Sequence, residues 1–178
     1  LPKLAEKCAE RGIDFGCSAF CFDALDAVDP FVKWHKVASI EATWDEFVVA
    51  AAKKGKPIIV STGAMSSSEQ FHISGLVSST PPRHRFPTLL HCVTAYPAPI
   101  EETNLRSMGR IGGPLWGLSD HTVHPTIAPC AAVALGASVV EKHLKLDLPH
   151  LFTLFVVVPT TPDQKHSITP SKFREMVE

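Results

Sequence analysis

Nothing in the sequence is long and apolar enough to cross a bilayer. The longest apolar run, Leu151 to Pro159, falls well short of the roughly 20 residues that a spanning helix needs. No positively charged segment with a following apolar core opens the chain, so a secretory leader is not expected. An excess of one charge is also missing. With 17 Lys and Arg against 18 Asp and Glu the net charge is −1, and no basic stripe marks a nucleic-acid surface. Cysteine is sparse and unpatterned. The five cysteines are an odd number, and Cys17 and Cys21, four apart, have no matching second pair for a zinc module. A reduced, cytoplasmic setting is the simplest expectation. Tyrosine occurs once, at Tyr96. What is present is a chain of 178 residues with a 45% hydrophobic fraction, enough for one domain with a sizeable core. Its 15 prolines cluster after apolar runs, as expected where strands feed loops.

The order of periodic segments predicts alternating helices and strands. Leu1 to Arg11 reads as a helix with Leu4, Cys8 and Ala9 on one face and Gly12 closing it. Ile13 to Ser18 reads as a strand, Asp23 to Val28 as a short helix and Trp34 to Ser39 as the next strand. Thr43, with Glu46 three positions on, has the form of a capping box for a helix through Lys54 that Gly55 ends. Pro57 to Ser61 reads as a strand, Ser67 to Val77 as a helix and Phe86 to Thr94 as a strand. Ser171 to Glu178 reads as a closing helix. This rhythm predicts a parallel sheet with right-handed crossovers.

The most informative segment is Gly117-Leu118-Ser119-Asp120-His121-Thr122, followed 22 positions later by Glu141-Lys142-His143. Each His follows a segment with strand character: an apolar stretch from Gly112 to Leu118, and the β-branched run Ala137 to Glu141. Ala128 to Gly136 between them reads as a helix. In a parallel α/β barrel the carboxyl ends of neighbouring strands share one mouth. The two imidazoles can therefore sit side by side and hold one metal ion, with the remaining coordination positions open.

Together with Leu89-Leu90-His91-Cys92-Val93-Thr94-Ala95-Tyr96-Pro97 and Lys56-Pro57-Ile58-Ile59-Val60-Ser61-Thr62-Gly63, this segment resembles the N-acetylneuraminate (sialic acid) synthase family. The matching blocks run from about Ile13 to Val177 in the family's order. The resemblance implies an α/β fold, a TIM-type barrel, of which six of eight strand-helix units are counted here in one partial barrel domain spanning residues 1–178. The family's first two strands, one carrying a catalytic Glu, and its C-terminal antifreeze-like domain have no counterpart in the sequence. A truncated or fragmentary barrel is therefore expected, and one alternative is an inactive fragment that needs a partner chain. Self-association to a homo-oligomer is expected because barrel edges need cover.

The resemblance further implies a metal-dependent condensation of phosphoenolpyruvate with N-acetylmannosamine or a related amino sugar. The product is a nine-carbon 2-keto acid, and phosphate is released. Another aldose, such as a bacillosamine-derived or phosphorylated sugar, is the alternative. His121 and His143 become the metal ligands, and the resemblance favours Mn2+. Lys36, Ser39, Ser61 and Ser119 become phosphoenolpyruvate ligands, with Thr94 at a further strand end. Lys36 stands out because a lysine on a buried strand needs an anionic partner. Glu41 matches an acidic residue that handles a proton or holds a sugar hydroxyl, although a carboxylate just before Thr43 also suits a helix start. With Lys36 it makes the catalytic pair. Tyr96 lines the sugar pocket or packs on Pro97, and Asp163 with Ser167 matches an Asp-x-x-x-Ser loop whose Asp contacts the sugar.

Several positions depart from the family pattern. Ile40 stands where a small residue is usual between Ser and Glu. Ala64 replaces the usual Gly before Met65. The loop from Leu148 to Thr161 is long and apolar, which suggests an interface or an aggregation hazard. Where the family has Gly-Pro-Asp-His, Gln164 follows Asp163 here and His166 lies two further on.

Overall fold

The computed structural model describes residues 1–82, 86–110, 115–146 and 162–178. Six strands alternate with helices: α1 (Pro2–Glu10), β1 (Cys17–Ser18), α2 (Phe22–Val28), β2 (His35–Val37), α3 (Asp45–Lys53) and β3 (Ile58–Ser61). Then come α4 (Ser67–Ser79), β4 (Thr88–Cys92), β5 (Trp116–Asp120), α5 (Ile127–Ala134), β6 (Val139–Lys142) and α6 (Pro170–Val177). The strands pair in chain order, β1 through β6, and every pair is parallel. The sheet curls into a TIM-type half-barrel, so all six strand ends open on one mouth.

Two apolar clusters hold the sheet to its helices. Val37, Ile58, Val60 and Leu89 on the strands pack with Leu25, Phe47, Val48, Ile73 and Val77 on α2, α3 and α4. Met108, Leu118, Ala128 and Ala132 form a smaller cluster that seats α5 on β5. Between β5 and β6 the backbones approach closely at Gly117, where a Cβ would lie 2.2 Å from the Val139 carbonyl oxygen. The segment after residue 161 returns beside β6. Ile168 N donates to the His143 carbonyl at 2.9 Å, and Lys145 N donates to the Ile168 carbonyl at 2.9 Å.

The element types follow the sequence reading, but several boundaries and one cap do not. The first strand is reduced from Ile13–Ser18 to Cys17–Ser18, because only those residues pair with β2. The face of α1 that carries Leu4 and Cys8 is not buried, and Leu4 remains 59% exposed. The box predicted at Thr43 and Glu46 does not form. The chain turns through residues 39–44, and α3 begins at Asp45 with Trp44 as its cap residue and no side-chain cap. Aromatic packing sets that start, since Trp44 stacks on Phe47 at 5.4 Å and meets Phe22 at 5.0 Å. The capping box occurs instead on α4. Glu69 N donates to Ser66 Oγ, and Ser66 N donates to the Glu69 carboxylate at 2.7 Å. The closing helix is capped by Thr169 one residue ahead of Pro170. The apolar stretch between Leu148 and Thr161 lies outside the described residues. No helix among the described residues is long and apolar enough to cross a membrane.

Candidate active site

Side chains along a strand alternate between faces, and this alternation builds the mouth. Lys36 on β2, Ser61 on β3, Cys92 on β4, Ser119 on β5 and Glu141 on β6 all line one cavity of about 570 Å³. The register places Cys92 opposite Ser119, and Ser119 opposite Glu141. Ser119 Oγ accordingly donates to Glu141 Oε1 at 2.6 Å. Lys36 Nζ donates to Ser61 Oγ at 2.8 Å and lies 3.5 Å from Glu141 Oε2. Just beyond β3, Gly63 N donates to Ser39 Oγ at 3.0 Å. A Cβ on Gly63 would come within 2.5 Å of Thr94 Cγ2, so only glycine lets this backbone close on Ser39 and Thr94. The result is a lysine and several hydroxyls converging on one space, the donor set that a phosphate or carboxylate requires.

Three imidazoles gather on the other side, and two of them, His121 and His143, line the cavity. His121 directly follows β5 and His143 directly follows β6, with ring centroids 5.5 Å apart. His166 comes from the returning segment, 4.4 Å from the His143 ring and 6.1 Å from that of His121. Tyr96 packs against all three, most closely on His121 at 4.0 Å. His121 Nδ1 donates to the Val93 carbonyl at 2.7 Å, which leaves the lone pair on Nε2, 3.5 Å from Ser119 Oγ and 3.9 Å from Cys92 Sγ. Asp163 bridges the other two rings, with Oδ2 3.4 Å from His143 Nδ1 and Oδ1 3.7 Å from His166 Nε2. His143, Asp163 and His166 form a group that could hold a metal ion, their ligand atoms all lying within 4.8 Å of one another. Burial pushes the pKa of His121 below the ordinary histidine value, and the neighbouring His143 and His166 push it the same way. The unprotonated ring that results is the form that ligates metals.

Lys36, Ser39, Ser61, Thr94, Tyr96, Ser119, His121 and His143 thus share one cavity. Glu41 and Asp163 are not among its lining residues. Glu41 sits in the turn after Ser39, 9% exposed, with Oε2 buried and without a partner among the described residues. Burial raises the pKa of its carboxyl, and the Lys36 charge opposes that rise. Ile40 lines the cavity rim and is 80% exposed. The motifs assign no role to Glu141, Cys92 or His166, yet all three sit in this cluster. Glu141 was findable, since it has the same strand parity as His143 and so the same face. Burial pushes the Cys92 thiol up, with Sγ 3.9 Å from His121 Nε2. His166 stands out in the sequence only as a displaced His two positions beyond Gln164, and a chain return beyond β6 brings it in.

The neighbouring positions on β5 and β6 point the other way. Asp120 is opposite Lys142 in register, and Lys142 Nζ donates to Asp120 Oδ2 at 2.7 Å and to the Thr122 carbonyl. These side chains are 0% and 1% exposed. Asp120 also accepts from Thr122 N at 2.9 Å. The sealed pair ties together the two strand ends that carry His121 and His143.

Comparison with known proteins agrees with the fold. Residues 1–178 match the model of the NeuB family. The chain is 35% identical to pseudaminic acid synthase of Helicobacter pylori over 175 residues, 94% of this chain and 48% of that protein. It is 34% identical to N,N'-diacetyllegionaminic acid synthase of Campylobacter jejuni over 96% of this chain and 48% of that one. The crystal structure of an N-acetylneuraminic acid (sialic acid) synthetase from Leptospira borgpetersenii superposes with a TM-score of 0.84 at 26% identity, covering 98% of this chain and 58% of that one. The chain therefore spans about half the length of the curated relatives it matches.

Proposed function

Because the chain belongs to the NeuB family, we propose that its mouth condenses phosphoenolpyruvate with an N-acetylated amino sugar. N-acetylmannosamine is the lead substrate, and the products are a nine-carbon 2-keto acid and phosphate. One observation carries the reading: Lys36, Ser61 and Ser119 converge on the cavity that His121 and His143 enter from the next strand ends. The relatives support it, being sugar-acid synthases. Residues 1–178 are proposed to make up one part of a synthase barrel. The five cysteines are all free, which supports a reducing, cytoplasmic setting.

Lys36, Ser39, Ser61, Thr94 and Ser119 hold the phosphate and carboxylate of phosphoenolpyruvate. Tyr96 and Asp163 contact the sugar. C3 of phosphoenolpyruvate attacks the aldehyde carbon of the open-chain sugar. Water adds at C2, and phosphate leaves by cleavage of the C2–O bond. Glu41, a carboxyl whose burial favours the protonated form, gives or takes a proton in this sequence. Lys36 offsets charge on the departing phosphate. His121 and His143 would hold a divalent ion, with Mn2+ as the proposed metal, and the ion would supply Lewis acidity to a carbonyl. The imidazole pairing and the lone pair on Nε2 of His121 fit such an ion.

The test is phosphate release from phosphoenolpyruvate with N-acetylmannosamine, its 6-phosphate or a bacillosamine-derived sugar, with and without Mn2+. Metal-dependent release with one sugar, abolished in His121→Ala, is the expected result. No release with any of them from a folded chain would remove the synthase reading for this polypeptide.

A further inference from the structure

His166 belongs to the imidazole cluster beside this mouth and has no part in the proposed chemistry. It is 2% exposed, and among the described residues neither ring nitrogen has a hydrogen-bond partner. A buried imidazole normally satisfies at least one nitrogen through the protein or ordered water. Its described surroundings include aromatic and charged groups. They offer His143 at 4.4 Å between centroids, Tyr96 at 4.8 Å and the Asp163 carboxylate at 3.7 Å from Nε2. Asp163 faces His143 as well, at 3.4 Å. The ligand atoms of His143, Asp163 and His166 lie within 4.8 Å of one another. Donors around one first-row ion, each at about 2.0–2.2 Å, are separated by about 4.4 Å at most. Small side-chain rotations would therefore suffice to close the group on one ion.

We propose that His166 is a third imidazole ligand of the metal centre, joining His121 and His143, with Asp163 as the accompanying carboxylate. The proposal rests on the reading of the mouth as a metal site and adds to it a ligand from outside the two strand ends. It accounts for one of the two orphaned nitrogens, since a ligating ring uses the lone pair that the described residues leave unmet. It also alters selectivity. A more nitrogen-rich donor set strengthens binding of Co2+ and Zn2+ more than of Mn2+. The proposed roles of Asp163 then merge, because a carboxylate that binds or orients the ion also stands where it can meet the sugar.

The experiment titrates Zn2+ into the 15N-labelled 178-residue chain and follows the imidazole nitrogens, with His166→Gln and His121→Ala used to assign signals. The expected result is that ring nitrogens of His121, His143 and His166 shift together and saturate at one equivalent. In parallel, calorimetry is expected to show His166→Gln weakening Zn2+ binding by about tenfold or more, with a smaller loss for Mn2+. If His121 and His143 shift while His166 does not, the inference is overturned and the two-histidine reading stands. If no imidazole responds to Zn2+ or Mn2+, the inference and the metal reading fall together. The wild-type titration decides the matter even if a variant fails to fold.

Discussion

Glu141 and Lys142 are consecutive residues on β6 with opposite fates. Glu141 turns into the mouth, where Ser119 and Lys36 meet it and its side chain stays 37% exposed. Lys142 turns to the other face, where Asp120 and the Thr122 carbonyl enclose it completely. The same contrast separates the two lysines. Lys142 has its charge matched inside the protein. Lys36 has one short bond to a hydroxyl, and its nearest carboxylate is 3.5 Å away and shared with Ser119. Adjacent positions on a strand thus differ: one side of the strand end is closed by the fold, and the other opens on the cavity.

The strongest way to break that comparison is to remove each lysine in turn. Lys142→Met leaves the Asp120 carboxylate buried without its cation, a loss of about 3–5 kcal/mol in such cases. Urea unfolding of the variant is expected to show a loss in that range. Lys36→Met removes a lysine–hydroxyl bond beside open space, and the cost is expected to stay below about 1.5 kcal/mol. Equal losses in the two variants would erase the distinction. A smaller effect comes from the contact that brings β5 and β6 together. Gly117→Ala drives a Cβ onto the Val139 carbonyl, and overpacking of this kind costs about 1–3 kcal/mol. Gly75→Ala on α4, where a Cβ meets nothing within 4 Å, is expected to stabilise by about 0.5–1 kcal/mol.

The smallest effect lies at the opposite end of the strands. Burial pushes the pKa of His35 below the ordinary value of about 6.5, against the raising effect of Asp29, whose Oδ1 is 2.9 Å from Nε2. The unfolded chain therefore takes up the proton first. The resulting stability is fully present above about pH 6.5 and is lost as the pH falls through that value. Urea midpoints are expected to drop between pH 7.5 and pH 5.5. His35→Gln is expected to flatten that slope, leaving the part due to the buried His121 and His166, which shift in the same direction.

The fold was legible because its signals are local. β-Branched runs broken by Gly and Pro mark β3 and β6, and an Ala-rich stretch ending near Gly136 marks α5. Boundaries were less so, since pairing with a neighbour, not propensity, ends β1 and β4. The Thr43 box failed for a related reason, because the packing of Trp44 on Phe47 decides where α3 starts. In the mouth, Lys36, Ser61, Ser119, His121 and His143 could be read from motif and strand parity. Glu141 could have been read by the same parity. His166 could not, because its place depends on the return of the chain beside β6, through a bridge between Leu144 and Ile168 that no sequence period encodes.

On the proposed reading, Lys36 marks an anion site that substrate completes. The most direct measurement is calorimetric binding of phosphoenolpyruvate to the folded chain and to Lys36→Met. The account predicts that the wild-type chain binds and that the variant loses about 10- to 100-fold in affinity, the equivalent of one charge-assisted hydrogen bond of about 1.5–3 kcal/mol. Equal affinity in the two proteins, or no binding to a folded wild-type chain, would contradict it.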